Sequence, residues 1–165
     1  MKETSELLKQ RRKKLDELAK EGINLFPNDF KVTHTSQEIR ERFEQMEANE
    51  LEKVEEECSL AGRIMAVRNF GKAAFIHIQD RKGKIQAYIQ KNVVGSTHFN
   101  IFNKLDMGDF VGIRGRVFLT RTKELTIKVN QIKLLVKSLR PLPEKWHGLS
   151  NIEIRYRQRY LDLLI

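Results

Sequence analysis

Phe75, His77, Gln86 and Tyr88 are the side chains whose types and spacing could recognise a ligand. In AAFIHIQ (73–79) the apolar row is Ala74, Ile76 and Ile78, so a strand there turns Phe75, His77 and Gln79 to the opposite face. In KIQAYIQ (84–90) the same rule buries Ile85, Ala87 and Ile89 and turns out Gln86, Tyr88 and Gln90. Asp80-Arg81-Lys82-Gly83 supplies a glycine-containing turn between the two runs. Folding about that turn pairs His77 with Gln86 and Phe75 with Tyr88. The outward face then offers a flat ring, a second ring and an amide, which is the equipment for stacking a base and hydrogen-bonding its edge. The alternative is a solvated face that carries one stray aromatic.

Charged positions flank this face. Arg68 precedes the loop Asn69-Phe70-Gly71-Lys72 and falls near Phe75 at the strand end. A guanidinium there could stack on a base or bind phosphate; it is equally readable as an exposed strand-end cation, because periodicity leaves its face open. Lys72, His77 and Tyr88 are further candidate RNA contacts. In ELTIKVNQI (124–132), alternation sends Leu125, Ile127 and Val129 inward and Glu124, Thr126, Lys128 and Asn130 outward. Glu124 sits at the mouth of the preceding turn, either as a solvent residue or ion-pair partner, or as the acceptor that base selection needs beside donors. The sequence contains no nucleophile elbow, phosphate-cradling glycine loop or metal motif, so no catalytic residue is assigned.

The elements that would carry these residues follow from period and punctuation. Residues 4 to about 21 read as a helix with Leu7, Leu8, Leu15 and Leu18 at near-helical spacing, ended by Gly22. Its block Arg11-Arg12-Lys13-Lys14 is either a solvated face or a set of contacts to a phosphate backbone. Thr35-Ser36-Gln37-Glu38 is a capping-box signature that predicts a second helix from about 36 to 48. From about 57 to 136 the period becomes alternating, with strands at 59–68, 72–79, 84–90, 109–120 and 124–135. A short helix in THFNIFNKLD separates the third from the fourth, and Gly112 and Gly115 suggest a bulge or bend in the fourth. Five strands with a helix between the third and fourth is the order of an OB-fold, a mainly β Greek-key barrel, here with α appendages. The expected organisation is an N-terminal helical extension over 1–56, the barrel over 57–137, and a linker with the start of a helix over 138–165.

The 165-residue chain has a net charge of +9, which favours polyanionic partners. No apolar run approaches the roughly 18 residues of a membrane span, and MKETSELLKQRRKK lacks the apolar core of a signal peptide. A soluble, cytoplasmic protein with no membrane partner is expected. Cys58 is the single cysteine, read as a small, partly buried residue, and His34, His77, His98 and His147 fall at no metal-ligand spacing, so no metal is assigned.

The segments FPNDF (26–30), THTS (33–36), AGRIM (61–65), RNFGKAAF (68–75), GKIQAYI (83–89), LRPLPEKWHGL (139–149) and RYRQRYLDL (155–163) make the chain similar to the N-terminal part of bacterial-type class II lysyl-tRNA synthetases, from about residue 5 to its end. RxxGKxxF with a Gln eleven residues beyond the Phe is shared with the aspartyl and asparaginyl relatives; FPNDF and RPLPEKWHGL point to the lysyl branch. The resemblance implies an OB-fold that grips the anticodon stem-loop of tRNA-Lys. It places the stacking aromatic at Phe75, the base-reading glutamine at Gln86, an arginine at Arg68 and a glutamate at Glu124, all directed at the central uridine. The basic block Arg11, Arg12, Lys13 and Lys14 would add contacts to the tRNA backbone. Family members continue into a catalytic domain that binds ATP and lysine and makes most of the dimer interface. The resemblance therefore implies no cofactor here, ATP and Mg belonging to that domain, and a truncated, inactive anticodon-binding piece, monomeric where its parent is a homodimer. Two alternatives remain: a sequence-tolerant single-strand binder or stand-alone tRNA-binding paralogue, and a purely structural assembly module.

Overall fold

A computed structural model describes residues 2–140 and, beyond them, Tyr156, Arg157 and Arg159. The expected linker and terminal helix, with LRPLPEKWHGL and RYRQRYLDL, lie largely outside the described residues. Helix α1 (Lys2–Lys20) precedes α2 (Ser36–Phe43) and α3 (Ala48–Leu51). The strands are β1 (Cys58–Asn69), β2 (Ala73–Gln79), β3 (Lys84–Gln90), β4 (Phe110–Leu119) and β5 (Leu125–Val136), with α4 (Lys91–Val94) and α5 (Ser96–Asn103) between β3 and β4. The strands close into a barrel in the order β1-β2-β3-β5-β4, in which β3 and β5 are parallel and every other pair is antiparallel. This is the five-stranded OB-fold expected.

The alternation of the β2–β3 hairpin does what its sequence demands. Ala74, Ile76, Ile78, Ile85, Ala87 and Ile89 are all 0 % exposed and fill the barrel with Leu60, Ile113, Ile127 and Val129. Withdrawing a row of β-branched side chains from water on one face also fixes register, because a one-residue slip would turn the whole set outward. The turn is held by Asp80, whose carboxylate accepts from the backbone N–H groups of Lys82 (2.7 Å) and Gly83 (2.9 Å). It also accepts from the N–H (2.6 Å) and hydroxyl (2.7 Å) of Ser36, so the start of α2 is pinned to the hairpin. Burial pushes the Asp80 carboxyl up, but these hydrogen bonds outweigh it and hold the group below its usual range.

The Thr35–Glu38 capping box forms as the sequence predicts. The helix expected over 36–48 stops at Phe43 and a second short one starts at Ala48, a correction with a local cause. The Glu50 carboxylate accepts from the Glu47 N–H at 2.8 Å, so a fresh helix start interrupts the first, and the bend lets Phe43 and Leu51 both enter the core. At the end of α1, Gly22 takes φ +75° and the Ile23 N–H donates to the Leu18 carbonyl at 3.1 Å, the ending a glycine permits.

Of the two glycines in β4, Gly115 lies at the register shift, where a Cβ would stand 2.0 Å from the Lys128 carbonyl oxygen. Gly112 serves otherwise: a Cβ there would fall 2.6 Å from the Phe30 ring, so its bareness lets the FPNDF segment lie on the barrel. Cys58 is fully rather than partly buried, and burial, with the nearby Glu56 charge, pushes its thiol up to about 11. Among the described residues no helix is long and apolar enough to cross a membrane.

Candidate nucleic-acid interface

His77 pairs with Gln86 and Phe75 with Tyr88 across the hairpin, as alternation predicts. The Phe75 and Tyr88 rings stack at 4.6 Å between centroids, and Phe70 meets Phe75 edge-on at 6.2 Å. Phe70 is brought there by the β1–β2 turn, in which Gly71 takes φ +77° and the Asn69 side-chain oxygen accepts from the Gly71 N–H at 3.0 Å. Sequence alternation missed Phe70 because a turn residue has no strand face.

Arg68 joins this face through a bulge. Ile64 pairs with Ile78 and Ala66 with His77, so Met65 is an extra residue in β1. Plain alternation from the buried Ile64 would send Arg68 toward the core. The inserted residue reverses the parity, and Arg68 lands opposite Phe75.

The registers place one cross-strand row on the outer surface: Arg116, Lys128, Tyr88, Phe75 and Arg68, one from each strand. The neighbouring row runs Phe118, Thr126, Gln86 and His77. Arg68, Phe75 and Tyr88 of the first row and Gln86 and Phe118 of the second, with Phe70, line a cavity of about 410 Å³ bordered by residues of the 120–124 loop. Its size lies within the range of about 300–1,000 Å³ usual for small-ligand clefts. The loop is braced by Thr120, whose hydroxyl accepts from the Glu124 N–H at 3.0 Å, and Glu124 then meets the His77 ring at 3.3 Å.

Two expectations change here. Gln86 and Thr126 do point away from the barrel interior, yet they are 5 % and 0 % exposed. Both sit in central strands, flanked in their row by His77 and Phe118, so neighbouring side chains cover what a two-stranded hairpin would leave open. The Gln86 amide nitrogen donates to the Thr126 hydroxyl at 2.9 Å. Phe118 was not singled out by sequence, although β4 alternates without interruption up to it: the extra residue at the register shift opposite Gly115 is Asn130, in β5 rather than in the fourth strand where the glycines suggested a bulge. The outward cations Arg116 and Lys128 were legible there as charges alternating with apolar residues.

The basic block of α1 divides. Arg11 donates to the carbonyls of Ser138 (2.7 Å) and Met107 (3.0 Å), and Lys14 pairs with Asp106 at 2.5 Å, so these two fasten the helix to the barrel. Arg12 and Lys13 are exposed. Lys72 is exposed too, beside Gln90 and Lys91 in a recess apart from the cavity.

A larger cleft of about 620 Å³ lies around Val32, Arg63, Gln79 and Phe110. Its Phe110 ring is already covered by the Arg63 guanidinium at 4.3 Å, which leaves less stacking surface than the smaller cavity holds. Among the described residues no group of three or more His, Cys, Asp or Glu side chains could hold a metal ion.

The chain also matches known proteins in sequence. Residues 58–135 match the family described as OB-fold nucleic acid binding domain. The chain is 49% identical over 163 residues to the lysine–tRNA ligase of Carboxydothermus hydrogenoformans, which covers 99% of this chain and 32% of that protein. It is 48% identical over 161 residues to that of Moorella thermoacetica (98% and 32%), and 49% identical over 154 residues to that of Enterococcus faecalis (93% and 31%). The chain thus spans about a third of the length of these curated relatives. A closed five-stranded barrel, an aromatic cavity on its outer face and these matches lead to one conclusion: residues 58–135 belong to the OB-fold nucleic acid binding domain family, in a chain similar along nearly its whole length to about a third of the length of lysine–tRNA ligases.

Proposed function

We propose that this chain is the tRNA-reading domain of a cytoplasmic lysine–tRNA ligase, and that its cavity takes the central uridine of the tRNA-Lys anticodon. The observation that carries this reading is the row of cations and stacked rings beside a buried amide. An extruded base stacks on Phe75, with Tyr88 backing that ring, while Arg68 and Gln86 hydrogen-bond to the base edge and Glu124 supplies an acceptor at the rim. Arg116 and Lys128 extend the row away from the rings and suit the phosphates of the same strand. Arg12 and Lys13 add charge from α1. We assign no catalytic step to these residues; ATP, Mg and lysine belong, on this reading, to the part of the relatives that this chain does not span.

The test is binding of an anticodon stem-loop with a UUU anticodon beside one with only its central base changed, at two salt concentrations. The changed base is expected to weaken binding by about 1–3 kcal/mol, the usual order for one wrong base. Replacing Arg116 and Lys128 by Gln lowers the salt slope by about 0.7 for each phosphate that is no longer neutralised and leaves the base preference alone. Equal, salt-sensitive binding of both loops would identify a sequence-tolerant module instead. Absence of binding would remove the RNA reading.

A further inference from the structure

We infer that Thr126 decides which pyrimidine the cavity accepts, by holding the Gln86 amide in one of its two orientations; the inference rests on the reading of the cavity as a uridine site. The Thr126 hydroxyl hydrogen is committed, since Oγ1 donates to the main-chain carbonyl of Glu124 at 3.0 Å and a carbonyl oxygen can only accept. Lone pairs alone remain on Oγ1, and Gln86 reaches it at 2.9 Å. The group seated there must be the amide nitrogen. Were the amide turned over, its carbonyl oxygen would face those lone pairs at a site where Thr126 is 0 % and Gln86 5 % exposed, with no bulk water to relieve the conflict.

This hydroxyl is what makes the amide directional. A glutamine amide is nearly the same shape either way up, and its terminal torsion is broad and roughly two-fold, so an isolated Gln86 could turn over freely. With the nitrogen tied to Thr126, Oε1 and the second amide hydrogen keep fixed places. A uracil stacked on Phe75 presents N3–H as donor beside O4 as acceptor, which such an amide matches with Oε1 on N3–H and Nε2–H on O4. A cytosine in the same position presents N3 as acceptor beside the N4 amino group as donor. Acceptor then meets acceptor and donor meets donor, and turning the amide over would repair both contacts. Thr126 blocks that repair. It touches no base and acts as a positioning residue.

The test compares the unmodified chain with Thr126→Val, which keeps the shape and removes the hydroxyl, and Thr126→Ser, which restores it. Each is titrated with UUU and UCU anticodon stem-loops. Thr126→Val is expected to shrink the UUU-over-UCU preference by about tenfold, the size of one hydrogen bond's orientation effect, chiefly through tighter UCU binding. Thr126→Ser is expected to restore the preference, which loss of packing alone would not predict. Full preference in Thr126→Val overturns this inference and leaves the uridine reading standing. No preference in the unmodified chain overturns the uridine reading and this inference with it. Should Thr126→Val fail to fold, the side-chain amide NMR signals of Gln86 in the unmodified chain give the answer. A nuclear Overhauser contact from these amide protons to the Thr126 methyl supports the lock, and its absence, with the amide protons turned away from Thr126, overturns it.

Discussion

At the end of the β4–β5 hairpin where Phe110 pairs with Val136, Lys137 has 0 % side-chain exposure and its ammonium meets Asp106 at 2.5 Å and Asp109 at 2.6 Å. Asp109 also accepts from the N–H groups of Ser138 (2.8 Å) and Asp106 (2.7 Å), so both of its oxygens are engaged. At the other end, where Leu119 pairs with Leu125, the polar groups of Arg68, Gln86 and Glu124 line an open cavity beside stacked rings. Both ends gather charged groups around the same hairpin, the first from residues that flank β4 and β5, the second from the turn and from β1 and β3 beside it. One end closes its polar groups on each other and carries structure: it fixes α1, through Lys14 and Arg11, where the chain leaves the barrel. The other leaves donors and acceptors facing a space, and binding would complete them. Satisfaction of hydrogen-bonding capacity, rather than charge, separates scaffold from site.

The sharpest test of this contrast is Lys137→Ala. It leaves Asp109 buried without its cation and is expected to destabilise the fold by about 3–5 kcal/mol in urea titration, with base preference unchanged in the molecules that remain folded. A loss below about 1 kcal/mol would place the pair among weak surface bridges and dissolve the distinction.

Phe75→Ala should do the reverse. RNA affinity falls by about 1–3 kcal/mol through lost stacking, while the melting temperature moves little because the ring lies outside the barrel core. A large drop in melting temperature with intact RNA affinity would make the cavity rings scaffold as well.

The smallest expected effect is the pH response of the closed end. Burial pushes the Asp106 carboxyl up, but hydrogen bonds from Lys137 and Lys14 outweigh it and hold the group below its usual value. A carboxyl depressed by folding contributes stability that is fully present above the unfolded value of about 4 and is lost as pH falls through the lower folded value. Unfolding free energy followed by urea titration should therefore decline on acidification below about pH 4, and Asp106→Asn should flatten that decline.

Much of the cavity was legible because the β2–β3 hairpin is a local structure. Its alternation named the buried rows, its Gly-containing turn set the pairing, and Phe75, Gln86 and Tyr88 followed from a rule of period two. The capping box at Thr35 and the stop at Gly22 were equally local. Arg68 was not decided, since one inserted residue, Met65, reverses the parity of β1, and bulges leave no dependable mark in an alternating sequence. The α1 cations look alike in sequence, and only the acceptors on Ser138, Met107 and Asp106 divide Arg11 and Lys14 from Arg12 and Lys13.

The amino-acid order by itself determined which side chains alternate, where the turn and the helix caps fall, and therefore the barrel and the aromatic face. Tertiary structure decided how deeply that face is covered. Gln86 becomes buried and Thr126 its partner because closure brings β5 alongside β3, residues 40 positions apart in the chain. A hydrogen bond of that separation has no local signature: it exists only after the barrel has closed and excluded water from both partners.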